Sequence, residues 1–244
     1  MDNWVAQPQM TGGWFGLRDR LAEWGVTPSG RYATDLQANA AGGQRRGKAY
    51  AGDFAVDVSF DMEKLAGLKG LTVGVSGDWA SGTNLSDDIG NIFTVAQTFE
   101  GRIVRLSHLH PQQSLFDGRL DVKAGRFATG ADFLGSPAEL SLVNDTLNPI
   151  LDAVQKNVPS VTAPPNSTWG GRIIARPTEA LSLWAGAFYS DPALNQTTAN
   201  GTELGISRSA GYFVIGEAGD RLDSEKGDTG LQGSLCSCDK LLSI

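Results

Sequence analysis

Apolar and polar residues alternate along much of this chain with a period of two, the spacing of a β-strand that has one apolar and one polar face. In FAVDVSF, residues 54–60, Phe54, Val56, Val58 and Phe60 fall on one side and Ala55, Asp57 and Ser59 on the other. LTVGVSGDW (71–79) sets Leu71, Val73, Val75 and Trp79 against Thr72, Ser76 and Asp78. In LDVKAGRF, Leu120, Val122 and Ala124 oppose Asp121 and Lys123; in GRIIAR, Gly171, Ile173 and Ala175 oppose Arg172, Ile174 and Arg176. LSLWAGAF places Leu181, Leu183, Ala185 and Ala187 opposite Ser182 and Trp184. Strands are predicted at about 30–39, 51–60, 70–79, 100–111, 118–127, 169–176, 180–189 and 204–217. Alternation alone does not say which face is inside. A soluble sandwich buries the apolar face, whereas an outer-membrane barrel turns it to lipid and lines a water-filled lumen with the polar one.

The connections carry more information. Short ones, such as FDGR (116–119) and RPTEA (176–180), alternate with long ones at 80–99 and 128–168. That is the sequence form of short periplasmic turns and long extracellular loops. In a soluble domain, a structureless loop of such length counts against the strand assignment. DMEKLAGLK (61–69) reads as a helical turn with Asp61 as its N-cap. Before the first strand, Trp14, Leu17, Leu21 and Trp24 recur at helical spacing, which predicts a short amphipathic helix stopped by Gly25 and Pro28. Tyr32, Tyr50, Phe60, Trp79, Phe127, Trp169 and Tyr189 fall near strand ends, where the aromatic girdles of a barrel lie.

Composition narrows the function classes. Charged residues make up 19% of the chain and glycine contributes 31 residues, which suits many short strands and turns. A net charge of −7 argues against a nucleic-acid partner. No run approaches the roughly 18 apolar residues of a membrane-spanning helix, a test that barrel strands of about 10 alternating residues escape. The N-terminus, MDNWVAQPQM, has neither the basic nor the apolar region of a signal peptide. Cys236 and Cys238 are too close for an unstrained bridge and too few for a zinc site. His108 and His110 share a face without further convergent ligands, so no metal and no cofactor are expected. No phosphate-binding loop, dinucleotide fingerprint, zinc-protease motif or nucleophile elbow is present, and the chain reads as a non-enzyme.

Several segments together resemble the carbohydrate-selective porins of Gram-negative outer membranes, the OprB-type glucose porins. They are GLRDRLAEWGVTPSGRYATD (16–35), RRGKAYAGDFAVDVSFDMEKLAGLKG (45–70), NLSDDIGNIFTVAQ (84–97), QSLFDGRLDVKAGRF (113–127) and RPTEALSLWAGAFYSDP (176–192), in the family's order. The resemblance implies an all-β fold: a sixteen-stranded antiparallel transmembrane barrel, of which about eight strands are present here. It implies an outer-membrane location, with lipid around the barrel and mono- and oligosaccharides such as glucose diffusing through it; whether the chain assembles into a homo-oligomer stays open at this level. On this reading Phe54, Val56, Val58 and Phe60 face lipid. The lumen-lining candidates in phase with the polar face are Asp57, Ser59, Ser76, Asp78, Asp121, Lys123, Arg172, Arg176 and Trp184. A lining of this kind replaces a sugar's hydration with polar groups and offers an aromatic surface to its ring, holding it weakly enough to release. The loop 128–168 is a further contributor to any constriction.

Within the resemblance, LSHLHPQQ (106–113) departs from the family's usual acidic and aromatic strand, and Pro111 predicts a bulge there. The organisation expected is a flexible N-terminus (1–13), the amphipathic helix (14–25), the first half of a porin barrel (29–217) and a divergent tail without alternation (218–244). The chain therefore reads as truncated to the family's N-terminal half. Eight strands closed on themselves leave no aqueous channel, and an open half-barrel leaves two unpaired edges in lipid. Two alternatives stay open at this level: a soluble saccharide-binding β-sandwich, and a non-functional porin fragment.

Overall fold

Nine antiparallel strands form one sheet in simple sequence order, each pairing with the next. They are β1 (Val26–Asn39), β2 (Gly47–Asp61), β3 (Leu71–Gly82), β4 (Ile103–Leu115), β5 (Leu120–Phe127), β6 (Thr168–Ala175), β7 (Leu181–Ser190), β8 (Gly211–Asp220) and β9 (Gly233–Ser237). The structure, a computed structural model, describes residues 11–237 other than 93, 100, 135–156, 159–160, 197–198, 203–204, 206–210 and 221–232. Each of the eight predicted strands has a counterpart. The ninth corrects the expected count: β9 lies in the segment read as lacking alternation, and pairs with β8 from Gly216–Ser237 to Asp220–Gly233.

Which face is inside is decided by register and exposure together. Directly opposed residues of an antiparallel pair share a face. Tyr32, Phe54 and Trp79 stand in one cross-strand row, and Ala55, Asp78 and Arg105 in a neighbouring row on the opposite face. The first row is open to solvent, with Phe54 at 42% and Trp79 at 60% exposure, while Asp78 is 6% exposed. Val56, Val104, Ile173, Leu183, Tyr212 and Val214 continue the exposed apolar face across the sheet. A soluble protein does the reverse. The sandwich alternative fails on this point, and the described residues contain no second sheet to cover the apolar face.

The polar face is the one the long connections fold over, here termed the inner face. Thr98, on the β3–β4 connection, donates to Asp35 Oδ2 at 2.6 Å. On the β7–β8 connection, Ala199 accepts from Arg105 Nε at 2.9 Å and Asn200 from the Leu106 amide at 2.9 Å. The β5–β6 connection packs Phe133, Leu134 and Val161 against Phe127, Phe188, Phe213 and Ile215 of β5, β7 and β8. Phe127, expected in an outward girdle, is thus a correction. It is fully buried on the inner face, edge-on to Phe188 at 5.3 Å between ring centroids. Its alternation is preserved, since Lys123 on the same face lies over its ring.

At the other end of the strands the connections are short. Helix α1 (Leu17–Glu23) precedes β1 and stops at Gly25. There φ is +89°, and a Cβ would lie 2.9 Å from the Asp61 carbonyl, so only glycine fits. Helix α2 (Met62–Ala66) links β2 to β3, its Asp61 side chain accepting from the amides of Glu63 and Lys64 as the N-cap motif predicts. Lys64 Nζ donates to the Ala22 carbonyl at 2.7 Å and fastens α1 to this turn. Among the described residues, no helix is long and apolar enough to cross a membrane, which says nothing against crossing by strands.

Candidate channel lining

The inner face is built from side chains that strand alternation sends to one side, and eight of the nine predicted lining residues lie on it. Asp57 and Ser59, on β2, point to the inner face and remain exposed. Ser76 sits between Asp57 and His108 in one cross-strand row, and Asp78 between Ala55 and Arg105 in the next; both are buried. Asp121 and Lys123 on β5 and Arg172 on β6 form a buried cluster. Arg172 Nη1 donates to Asp121 Oδ1, and Gln112 of β4 donates to Asp121 Oδ2 at 2.9 Å. Trp184, half-buried on β7, packs beside the apolar cluster that holds the β5–β6 connection. Arg176 is apart from all of these. It lies beyond the end of β6, exposed, donating to the Gly118 carbonyl at 3.0 Å on the neighbouring short turn.

Three inner-face features lay outside the sequence reading. Asp132, on the β5–β6 connection, receives Lys123 Nζ at 2.7 Å and faces Arg172 Nε at 3.2 Å. Strand periodicity gives no signal for a loop carboxylate. Glu217, opposite Trp184 in register, accepts from the Leu134 amide at 2.6 Å. Its inward phase was readable, but its loop partner was not. The third is an ion pair between Arg31 and Asp53 at 2.9 Å across β1 and β2, where alternation in SGRYATD predicted the strand without marking its charges.

The departure at LSHLHPQQ is a bulge, though not at the proline. Gly77 faces Leu106 and Ser76 faces His108, which leaves Ser107 as the extra residue. Pro111 pairs regularly with Val73 on the outer face. His108 and His110 both reach the inner face, with ring centroids 5.8 Å apart. Among the described residues, no cluster of three or more metal-ligating side chains exists.

With charged residues inward and apolar ones outward on a meander of strands, the comparison with known proteins is decisive. Residues 45–236 match the family described as carbohydrate-selective porin, OprB family. The chain belongs to this family. It is 30% identical over 217 residues to Porin B of Pseudomonas aeruginosa, an alignment taking in 84% of this chain and 46% of that protein. The high-pH structure of Pseudomonas putida OprB matches with a TM-score of 0.81 at 29% identity, over 92% of this chain and 54% of that one. The low-pH structure of the same porin, at 21% identity and a TM-score of 0.52, covers 91% of this chain and 68% of that one and shares the fold. The chain thus spans about half the length of Porin B and of the high-pH OprB chain. The OprB match runs into β9, well past the point near Glu217 where alternation fades in the sequence.

Proposed function

We propose that these nine strands form one sector of the wall of a sixteen-stranded outer-membrane barrel, through which glucose and other mono- and oligosaccharides diffuse passively. The observation that carries the reading is the inverted polarity of the sheet. Phe54, Val56 and Trp79 are exposed while Asp78, Lys123 and Arg172 are covered, a distribution that suits lipid outside and water inside. Strands β1 to β4, of 12 to 15 residues, exceed the roughly 9–11 needed to cross a bilayer. On the inner face, Asp57 and Ser59 stand open to a passing solute, and Trp184, on β7 in another part of the same face, offers an indole. Sugar hydroxyls exchange water for such groups at little net gain, so passage is fast and selection is weak. Closure needs a partner for the outer edges of β1 and β9, which have none among the described residues. Further strands of the same wall, or a second copy, would supply it.

Liposome swelling tests this. The chain, refolded in detergent and reconstituted, is expected to let isosmotic glucose in and to exclude a large dextran. Protein shown to be inserted that gives no glucose-dependent swelling overturns the pore reading for this chain by itself.

A further inference from the structure

Asp132 belongs to no strand, yet it is the hub of the inner-face charges. Its Oδ2 receives Lys123 Nζ from β5 at 2.7 Å, and its Oδ1 lies 3.2 Å from Arg172 Nε on β6. The three side chains are 11%, 9% and 3% exposed. Asp121 takes the remaining side of Arg172, so two cations meet two carboxylates, one of which comes from the loop.

The residues on either side of Asp132 are attached too. The Thr129 amide donates to Thr162 Oγ1 at 3.0 Å, and the Leu134 amide to Glu217 Oε1 at 2.6 Å. Phe133 sits edge-on to Phe188 at 5.9 Å. The Leu134–Glu217 hydrogen bond is a directional tie at one backbone amide, whereas the apolar contact of Phe133 holds the loop down without fixing its place, because such contacts are non-directional. A buried ion pair does fix it, since moving the carboxylate leaves Lys123 and Arg172 covered with one anion too few.

We infer that Asp132 is a positioning residue that pins the first segment of the β5–β6 connection, residues 129–134, to the inner wall, and that it sets both the width and the charge preference of the passage there. The inference rests on the channel reading for its consequence and on the ion pairs for its mechanism. While Asp132 is in place, the cluster is balanced and the segment 129–134 takes up room on the lumen side of the wall. Without its charge, the loop is released and the wall carries an uncompensated cation.

The test has one arm that needs no pore. In a background with Cys236 and Cys238 replaced by serine, Leu134→Cys places a thiol in the pinned segment, where Leu134 is 9% exposed. After reconstitution of the full chain, labelling by a membrane-impermeant maleimide is expected to be slow. It is expected to quicken with Asp132→Asn and to slow again with Asp132→Glu, which keeps the charge. Lys123→Gln removes the partner from the strand side and is expected to quicken labelling as well; it decides the matter if Asp132→Asn does not fold. Equal labelling rates with and without the charge, or fast labelling in the parent, overturn the inference. In planar bilayers Asp132→Asn is expected to raise conductance and to shift the reversal potential in a KCl gradient toward that of chloride. A labelling contrast without conductance in any variant upholds the pin and overturns the pore. Conductance in the parent that Asp132→Asn changes in neither size nor reversal potential overturns the control of the passage by Asp132 and leaves the pore reading standing.

Discussion

Val56 and Ser59 are three positions apart on one strand, and that odd spacing puts them on opposite faces of the sheet. Val56 is on the apolar exposed side and Ser59 on the inner side. The same substitution should therefore have opposite fates at the two positions. Val56→Arg sets a charge against lipid and is expected to cost about 2–4 kcal/mol near the bilayer midplane. Ser59→Arg sets it in water and is expected to be close to neutral. Urea unfolding of both variants in lipid vesicles measures the difference, and equal losses would place both side chains in the same environment. The assignment of single residues to faces was legible in the sequence wherever alternation was unbroken, as at Asp57, Ser76, Asp78, Lys123 and Arg172. What those residues touch was not legible. Lys123 and Arg172 were read as lining candidates from their phase alone, and the structure shows that they hold Asp132, a contact between a strand and a loop that no periodicity encodes.

At the scale of elements, β4 shows how a strand absorbs an irregular pattern. Leu106 and Leu109 both face outward although they are three positions apart, and the bulge at Ser107 makes that possible. Deleting Ser107 would join Leu106 to His108 with the register on both sides intact. The folded form is expected to persist, as judged by protease resistance in detergent. Deleting Val75 from the unbulged neighbour β3 would instead turn one half of that strand over, because a one-residue slip exchanges the faces. That chain is expected not to fold, and survival of its folded form would refute the register described here. Other elements differed in how far the sequence announced them. Helix α2 was readable from Asp61, whose carboxylate meets the first free amides of the helix. Strand β9, GSLCS, was not, for a strand of five residues carries too little alternation to register and takes its conformation from the edge of β8.

For the molecule as a whole, the outward apolar surface has a direct consequence for handling. Exposed Phe54, Val56, Trp79, Val104, Ile173, Leu183, Tyr212 and Val214 form a continuous apolar face far larger than a soluble monomer tolerates. The chain is expected to aggregate in water and to show β-sheet circular dichroism with protease resistance only in detergent or lipid. A monodisperse, folded state without detergent would refute the orientation of the sheet. By itself the sequence determined the strands, their order and the two families of side chains on them, because alternation and turn chemistry are local and survive without a partner. Only the tertiary structure decided which family is covered, since a period of two is the same whether the apolar side meets a core or a lipid. It also decided which residues meet across the inner face. The β5–β6 connection packs against Phe188 and Phe213 and brings Asp132 onto Lys123 and Arg172, a contact between a loop and two strands that no local pattern encodes.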